Sequence, residues 1–451
     1  MRARHLSRRS APAIRFRAIA RGEVNLKVES RVWPVIRVAA GNFLEAYDFQ
    51  VFGYYAAAIG QTFFRGSNPY ASLLLSFATF GAGFLMRPLG AIVLGAYVDH
   101  RGRRAGLLLT LALMAIGTLS IACTPGYARI GLMAPLLVLA GRLLQGLSAG
   151  VELGGVSVYL LEIAPPNRRG FFVSWQSATQ QLAVVFAALL GLILTANISP
   201  AGMTRWGWRI PLLTGCLMIP FLLRLRRSLQ ETDDFRSRPH HPTMSSVVRT
   251  LVTEWRLVLL GMMLATMVTV SFYLITAYTP TFGSAVLHLS STASLAVTLC
   301  VGVSNFIWVP IAGALSDRIG RRPLLFGCTI LTLLTAYPAL LWLVSAPSFS
   351  RLLAVELWFS MMFGGYSGAL VVFMTEMMPV AVRTAAFSLA FTLATAIFGG
   401  FTPAACTYLI HATGNRAMPG AWLSAAAACG LFAALRLSPA RLAVRHAVAA
   451  T

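Results

Sequence analysis

The chain has 451 residues, 57% apolar and only 11% charged, a balance that a water-covered globular surface could not carry. Its formal net charge of +23 raises nucleic acid as a partner. The arginines, though, gather at the ends of apolar runs, where membrane topology puts them, so the reading is a lipid-embedded protein and no nucleic acid.

Residues 1–33 are rich in Arg and contain no apolar core of signal-peptide length, which points to a cytoplasmic tail or a start codon placed too early rather than to a targeting signal. Twelve apolar stretches follow, each of roughly 18 residues or more and long enough to cross a hydrocarbon core about 30 Å thick as a helix. They are predicted near 36–62, 71–97, 105–123, 130–160, 171–195, 206–223, 257–281, 292–315, 323–345, 350–376, 384–410 and 418–436. The fold class is therefore an all-α membrane protein of twelve transmembrane helices.

The first predicted helix, in GNFLEAYDFQVFGYY, carries Asn42, Glu45 and Asp48 at a spacing of three that keeps them on neighbouring parts of one face. Ionisable groups inside a membrane are expensive, and each is a functional candidate. At the depth of Asp48, desolvation favours the neutral acid and a nearby cation favours the carboxylate, the combination that lets a group load and release a proton; a permanent ion pair is the alternative. The cations within reach are Arg87 in FLMRPLG of the second stretch and Arg142 in GRLLQGLSAG of the fourth, with Arg142 the expected partner of Asp48. In that fourth stretch Gly146 and Gly150 have the small-xxx-small spacing of close helix packing, with Gln145 on the polar side.

The loop GAYVDHRGRR at 95–104 returns as GALSDRIGRR at 313–322. Gly95, Asp99, Gly102, Arg103 and Arg104 map onto Gly313, Asp317, Gly320, Arg321 and Arg322 at one constant offset, 313 minus 95 or 218. Glu162 and Glu376 stand at a nearby offset, 376 minus 162 or 214. Parallel six-helix repeats follow, each with a latch whose glycines turn the backbone and whose Asp holds a neighbouring helix end or an arginine. Between them, the polar stretch 224–256 divides the chain into a basic tail 1–33, a first bundle 34–223, a cytoplasmic linker 224–256, a second bundle 257–436 and a tail 437–451.

Gln176, Gln180 and Gln181 in SWQSATQQ, with Tyr273, Tyr278, Asn305 and Tyr366 in the second half, offer uncharged hydrogen bonds to a polar solute or, equally, between helices. The six cysteines lie in apolar stretches without paired spacing, so neither a disulfide framework nor a metal site is expected. Lys27 is the only lysine and stands in no phosphate-binding loop, and no hydrolase or zinc-protease motif occurs. The expectation is ion-driven transport without a cofactor, not an enzyme. The arginine bias puts both termini inside, in a bacterial inner membrane, and a monomer is expected.

The paired latches, Arg142-x3-Gly146-x3-Gly150 and LQETDDF after the sixth stretch together resemble the major facilitator superfamily over roughly 36–436. GNFLEAYD, FLMRPLG, GVELGGVSVYLLE and SWQSATQQ are similar to its metabolite:proton symporter family, above all its citrate and tricarballylate transporters. The resemblance implies two rocking halves about a midplane site, a tricarboxylate substrate and proton coupling at Asp48 and Arg142, with Glu45 assisting. Arg87 and Arg142 then meet substrate carboxylates, beside Gln145, Gln180, Tyr273, Tyr278, Asn305 and Tyr366. Two positions depart from the family's pattern: His100 in the first latch and Glu356, a carboxyl in the tenth stretch.

Overall fold

A computed structural model describes residues 42–64, 68–101, 103–150, 152–227, 253–378 and 383–437. The expected tail 1–33, the linker over 228–252, Gly102 and nearly all of the tail 437–451 lie outside the described residues; of Asp99, Arg103 and Arg104 the backbone alone is described. The described residues form twelve long helical runs: α1 (42–63, with a turn at Tyr55), α2 (Pro69–Arg101), α3 (Arg103–Cys123), α4 (Met133–Ala149 followed by Glu152–Ile163), α5 (Arg169–Asn197), α6 (Arg209–Arg227), α7 (Trp255–Val286), α8 (Ser291–Ile319), α9 (Arg321–Ser345), α10 (Phe349–Met377), α11 (Arg383–Thr413) and α12 (Met418–Arg436). Eight are long and apolar enough to cross a membrane outright, and three shorter apolar segments, Leu108–Cys123, Met133–Ala149 and Arg209–Phe221, lie within α3, α4 and α6. Where both ends are described, the predicted spans depart from the helices by at most five residues, at the end of α7.

That largest departure is a run of π turns, Phe282–Val286, that carries α7 past its predicted end. Pro280 in α7 and Pro403 in α11 have no N–H to give the preceding turn, and each helix widens into π turns just before its proline, at Leu274–Tyr278 and Thr395–Gly399. The wider turns accommodate these two prolines, whereas Pro88, Pro310 and Pro338 sit within continuous α-helix.

Side chains sort by what they face. Leu217, Leu132, Phe221 and Leu334 are exposed large apolar groups on the outside of the helices, as a lipid-facing surface requires. Inside, one core gathers mainly α1–α6 around Tyr47, Phe52, Phe63, Phe84 and Trp208, and a second gathers mainly α7–α12 around Leu264, Phe363, Val371 and Phe387.

Glycine sets the crossings that matter for the site. A Cβ on Gly146 of α4 would overlap the Gly83 carbonyl of α2, and one on Gly150 would overlap the Arg87 carbonyl, so these helices touch backbone to backbone on either side of Arg87. The two halves meet along α5 and α8, where Gly170 lies against Gly313 and Gly302 against Val184, and along α2 and α11, where Gly81 receives Phe401 and Gly400 receives Phe84.

Candidate functional site

The α2–α4 crossing delivers Arg87 to α1. Its Nη2 lies 3.0 Å from Glu45 Oε1 of α1, with both side chains almost wholly buried. The guanidinium also rests 4.6 Å from the Phe49 ring centroid and 4.4 Å from that of Phe84. Tyr273 of α7 packs against Phe84 with ring centroids 5.0 Å apart, which sets this ion pair at the seam between the halves.

Asp48, one helical turn along α1, is buried in a separate polar cluster. Thr118 of α3 donates to Asp48 Oδ2 at 2.6 Å, and Gln145 of α4 donates to the same threonine oxygen at 2.7 Å. Gly215 of α6 makes the room: a Cβ there would stand 2.8 Å from Asp48 Oδ1. Arg142, fully buried, rests 3.7 Å over the Phe52 ring, and none of its three side-chain nitrogens finds a hydrogen-bond partner among the described residues. Asp48 Oδ1 and Gln145 Oε1 are likewise without partners. The expected Asp48–Arg142 ion pair is therefore not formed: the arginine that closes on a carboxylate is Arg87, and its carboxylate is Glu45. The aromatic floor under Arg142 holds it by its flat face, and Thr118 is the closer partner of Asp48.

Other predicted residues divide between the seam and the bundle interiors. Asn42 donates to the Gln176 carbonyl and accepts from Gln180, joining α1 to α5 within the first half. Gln50 of α1 donates across the seam to Thr276 of α7 at 3.1 Å. Asn305 of α8 donates across it to Gln181 of α5 at 3.0 Å and accepts from Ser360 of α10 at 2.7 Å. Tyr278 sits against Phe77 across the seam, ring centroids 5.8 Å apart, and its hydroxyl meets Thr407. Tyr366 faces elsewhere: its hydroxyl donates to the Leu264 carbonyl at 2.9 Å, a contact from α10 to α7 inside the second half.

The second latch is fully drawn. Gly320, at φ +92°, turns the chain from α8 into α9. Asp317 accepts from the backbone N–H of Gly170 at 2.8 Å and of Phe171 at 3.0 Å, capping the first turn of α5 in the other half. Arg321 donates to Asp317 at 2.6 Å and reaches Glu376 at 3.4 Å, while Arg322 reaches the Ala434 carbonyl. Beside this latch a cavity of about 370 Å³ is lined by Leu161, Glu162, Arg169, Glu376 and Arg383. Arg169 and Arg383 repeat at the same offset of 214 (383 minus 169) as the two glutamates, so each half contributes one acid and one base.

Sequence reasoning passed over Thr118, Gln50, Thr276 and Ser360, since an uncharged hydroxyl or amide in an apolar run carries no local mark. The Arg169–Arg383 correspondence was available from the repeat offset and was missed.

The Major Facilitator Superfamily model matches residues 38–403. A citrate-proton symporter of Salmonella typhi is 58% identical over 403 residues, covering 89% of this chain and 93% of the relative. One of Klebsiella pneumoniae is 57% identical over 404 residues, covering 90% and 91%. The crystal structure of a D-xylose-proton symporter superposes with a TM-score of 0.72 at 18% identity, over 89% of this chain and 96% of that one, a likeness of fold.

Proposed function

The chain belongs to the Major Facilitator Superfamily, and from that premise we propose that it is a secondary active transporter that imports citrate with protons by alternating access. The observation that carries this reading is the 58% identity over nearly the whole length with a citrate-proton symporter. The protein is a multi-pass membrane protein and a carrier rather than an enzyme. We place it in a bacterial inner membrane as a monomer with both termini cytoplasmic, the halves 34–223 and 257–436 rocking about the linker 224–256.

Two buried arginines suit the substrate. The planar guanidinium fork matches carboxylates, and Arg142 presents nitrogens with no other partner. Arg87 is held by Glu45, so a proton on Glu45 weakens that hold and frees Arg87 for a citrate carboxylate. Asp48, within the Thr118–Gln145 cluster, takes a second proton next to Arg142. Tyr273, Tyr278 and Asn305 at the seam and Gln145 and Gln180 within the first half supply neutral contacts, while Tyr366 positions α10 on α7. The second latch, Gly313–Arg322, ties α8 to the first turn of α5 through Asp317, and the repeated loop Gly95–Arg104 is given the same role in the first half.

Energetics demand the coupling. Moving a trianion inward against an inside-negative potential costs about 7 kcal/mol per 100 mV, at about 2.3 kcal/mol per charge, and about three protons cancel that charge. Labelled citrate uptake into proteoliposomes under an imposed pH gradient tests the proposal. Accumulation is expected with the gradient and lost in Asp48→Asn; uptake indifferent to the gradient sinks it. Competition by tricarballylate, dicarboxylates and betaine identifies any other substrate.

A further inference from the structure

Asp48 and Glu45 account for two protons, and both lie in the first half. Resting on the citrate-proton reading above, we propose that Glu356 is a further proton carrier, placed in the second half and reached from the outer face.

Glu356 is buried in α10 with 4% of its surface exposed. Its Oε1 accepts from the Thr279 hydroxyl of α7 at 2.9 Å, and its Oε2 has no partner among the described residues. No ion pair among the described residues includes it. The cation nearest in sequence, Arg351, is spent elsewhere: it donates to the Trp342 carbonyl and to Ser345 at the end of α9 and covers the Trp342 ring. On α7 the neighbouring titratable group, Tyr278, turns its hydroxyl to Thr407 of α11. Asp317 and Arg321, on α8 and α9, are committed to the latch at the far end of their helices, and Cys300 of α8 is exposed. On α8 the buried hydroxyls of Ser294 and Thr298 donate to backbone carbonyls of their own helix.

A carboxylate moved from water to such a place, with one hydroxyl and no cation, is strongly disfavoured against its neutral acid. A contact serving only to hold α7 to α10 needs no ionisable group, since an amide or hydroxyl would do it. What a carboxyl adds is the ability to take a proton where water reaches it and keep it where water does not, and alternating access supplies both conditions.

Position gives the side of entry. Glu356 lies seven residues from the start of α10 at Phe349, about 10 Å at 1.5 Å per residue, and the opposite end of that helix carries Glu376 of the latch. One helical turn inward is Ser360, bonded to Asn305 and through it to Gln181 across the seam. The carboxyl thus stands between the outer mouth and a hydrogen-bonded joint of the two halves. In the proposed cycle Glu356 gains a proton from external water before the halves rock, and loses it to internal water afterwards. With Asp48 and Glu45 this makes about three protons, matching a trianion.

The full-length protein, Glu356→Gln and Glu356→Asp are compared in proteoliposomes at zero membrane potential. The expected result is a split in Glu356→Gln: citrate counterflow persists, while steady-state accumulation falls about tenfold per pH unit imposed, the worth of one proton fewer. Glu356→Asp restores accumulation. Wild-type accumulation in Glu356→Gln overturns the proposal, as does parallel loss of counterflow and accumulation in both variants, the mark of a packing contact. An infrared pH titration without citrate separates this idea from the substrate assignment: wild type is expected to show a protonated-carboxyl band absent from Glu356→Gln. Identical spectra at every pH overturn the proposal whether or not citrate moves; a distinct band in a wild type that moves no citrate overturns the substrate reading instead.

Discussion

Glu45→Gln isolates the step at which substrate and protein compete for one arginine. At 3.0 Å and an effective dielectric near 20, the Glu45–Arg87 attraction is about 5.5 kcal/mol, from which the desolvation of two buried groups must be subtracted. The rings of Phe49 and Phe84 at 4.6 and 4.4 Å go on holding the guanidinium after the substitution, each contributing about 0.5–2 kcal/mol. The net hold that Glu45 exerts on Arg87 is then about 2–4 kcal/mol, below the usual loss for breaking a buried pair because the aromatic floor stays in place. If citrate must displace Glu45 to reach Arg87, removing the charge returns that amount to binding, a gain of about thirtyfold or more in affinity at neutral pH. Titration calorimetry of citrate into purified wild-type and Glu45→Gln protein from pH 5 to 8 measures it. The expected outcome is tight, pH-flattened binding in the variant against weaker, pH-dependent binding in the wild type. Arg87→Gln should weaken binding, and the double variant should show a coupling well above the ~0.5 kcal/mol scatter of independent sites. Equal affinities in wild type and Glu45→Gln, or additive effects in the double variant, refute the competition.

Asp317→Asn removes the charge from three contacts that tie α8 and α9 to the first turn of α5, a loss of about 2–4 kcal/mol from the state in which the latch is closed. Hydrogen exchange across Arg169–Phe171 is expected to quicken and accumulation to fall, and unchanged exchange would show that the cap bears no load. Gly146→Leu places side-chain atoms in the Gly83 carbonyl, so the α2–α4 crossing must open; little monodisperse protein should survive size exclusion, and a normal yield would contradict the packing. Tyr70 and His411 stack across the halves at 3.8 Å between ring centroids, one at the start of α2 and the other at the end of α11. Tyr70→Ala should speed thiol labelling of a cysteine placed at Thr62 from the outer side, and an unaltered labelling rate would remove this stack from the outer gate.

How much could be read beforehand follows from what each signal depends on. The helices were legible because crossing lipid demands some 20 apolar residues wherever the chain does it, whereas the wide turns near prolines 280 and 403 are not announced by composition. Repetition marked the latch before any contact was known, since GALSDRIGRR matters only in company with GAYVDHRGRR. The buried charges were legible as candidates because each is costly in a membrane. Their pairing was not. Glu45 and Asp48 are three residues apart on one helix, and either was a fair partner for Arg87 or Arg142.

The sequence by itself determined the helices, the repeated loop and the short roll of buried charges, because hydrophobic length, repetition and the rarity of intramembrane ionisable groups are all properties of the chain alone. Only the tertiary structure decided that Arg87 meets Glu45 while Arg142 rests on an aromatic ring with no carboxylate among the described residues in ion-pair contact. The glycine crossing of α2 and α4 sets Arg87 at Glu45 and lays Arg142 on Phe52, and Gly215 with Thr118 shapes a separate place for Asp48. The physical reason is that pairing depends on ångström-scale helix contacts between residues far apart in the chain. It likewise took three-dimensional packing to show Glu356 enclosed with a single hydroxyl beside it, where the sequence showed only a charge in an apolar stretch.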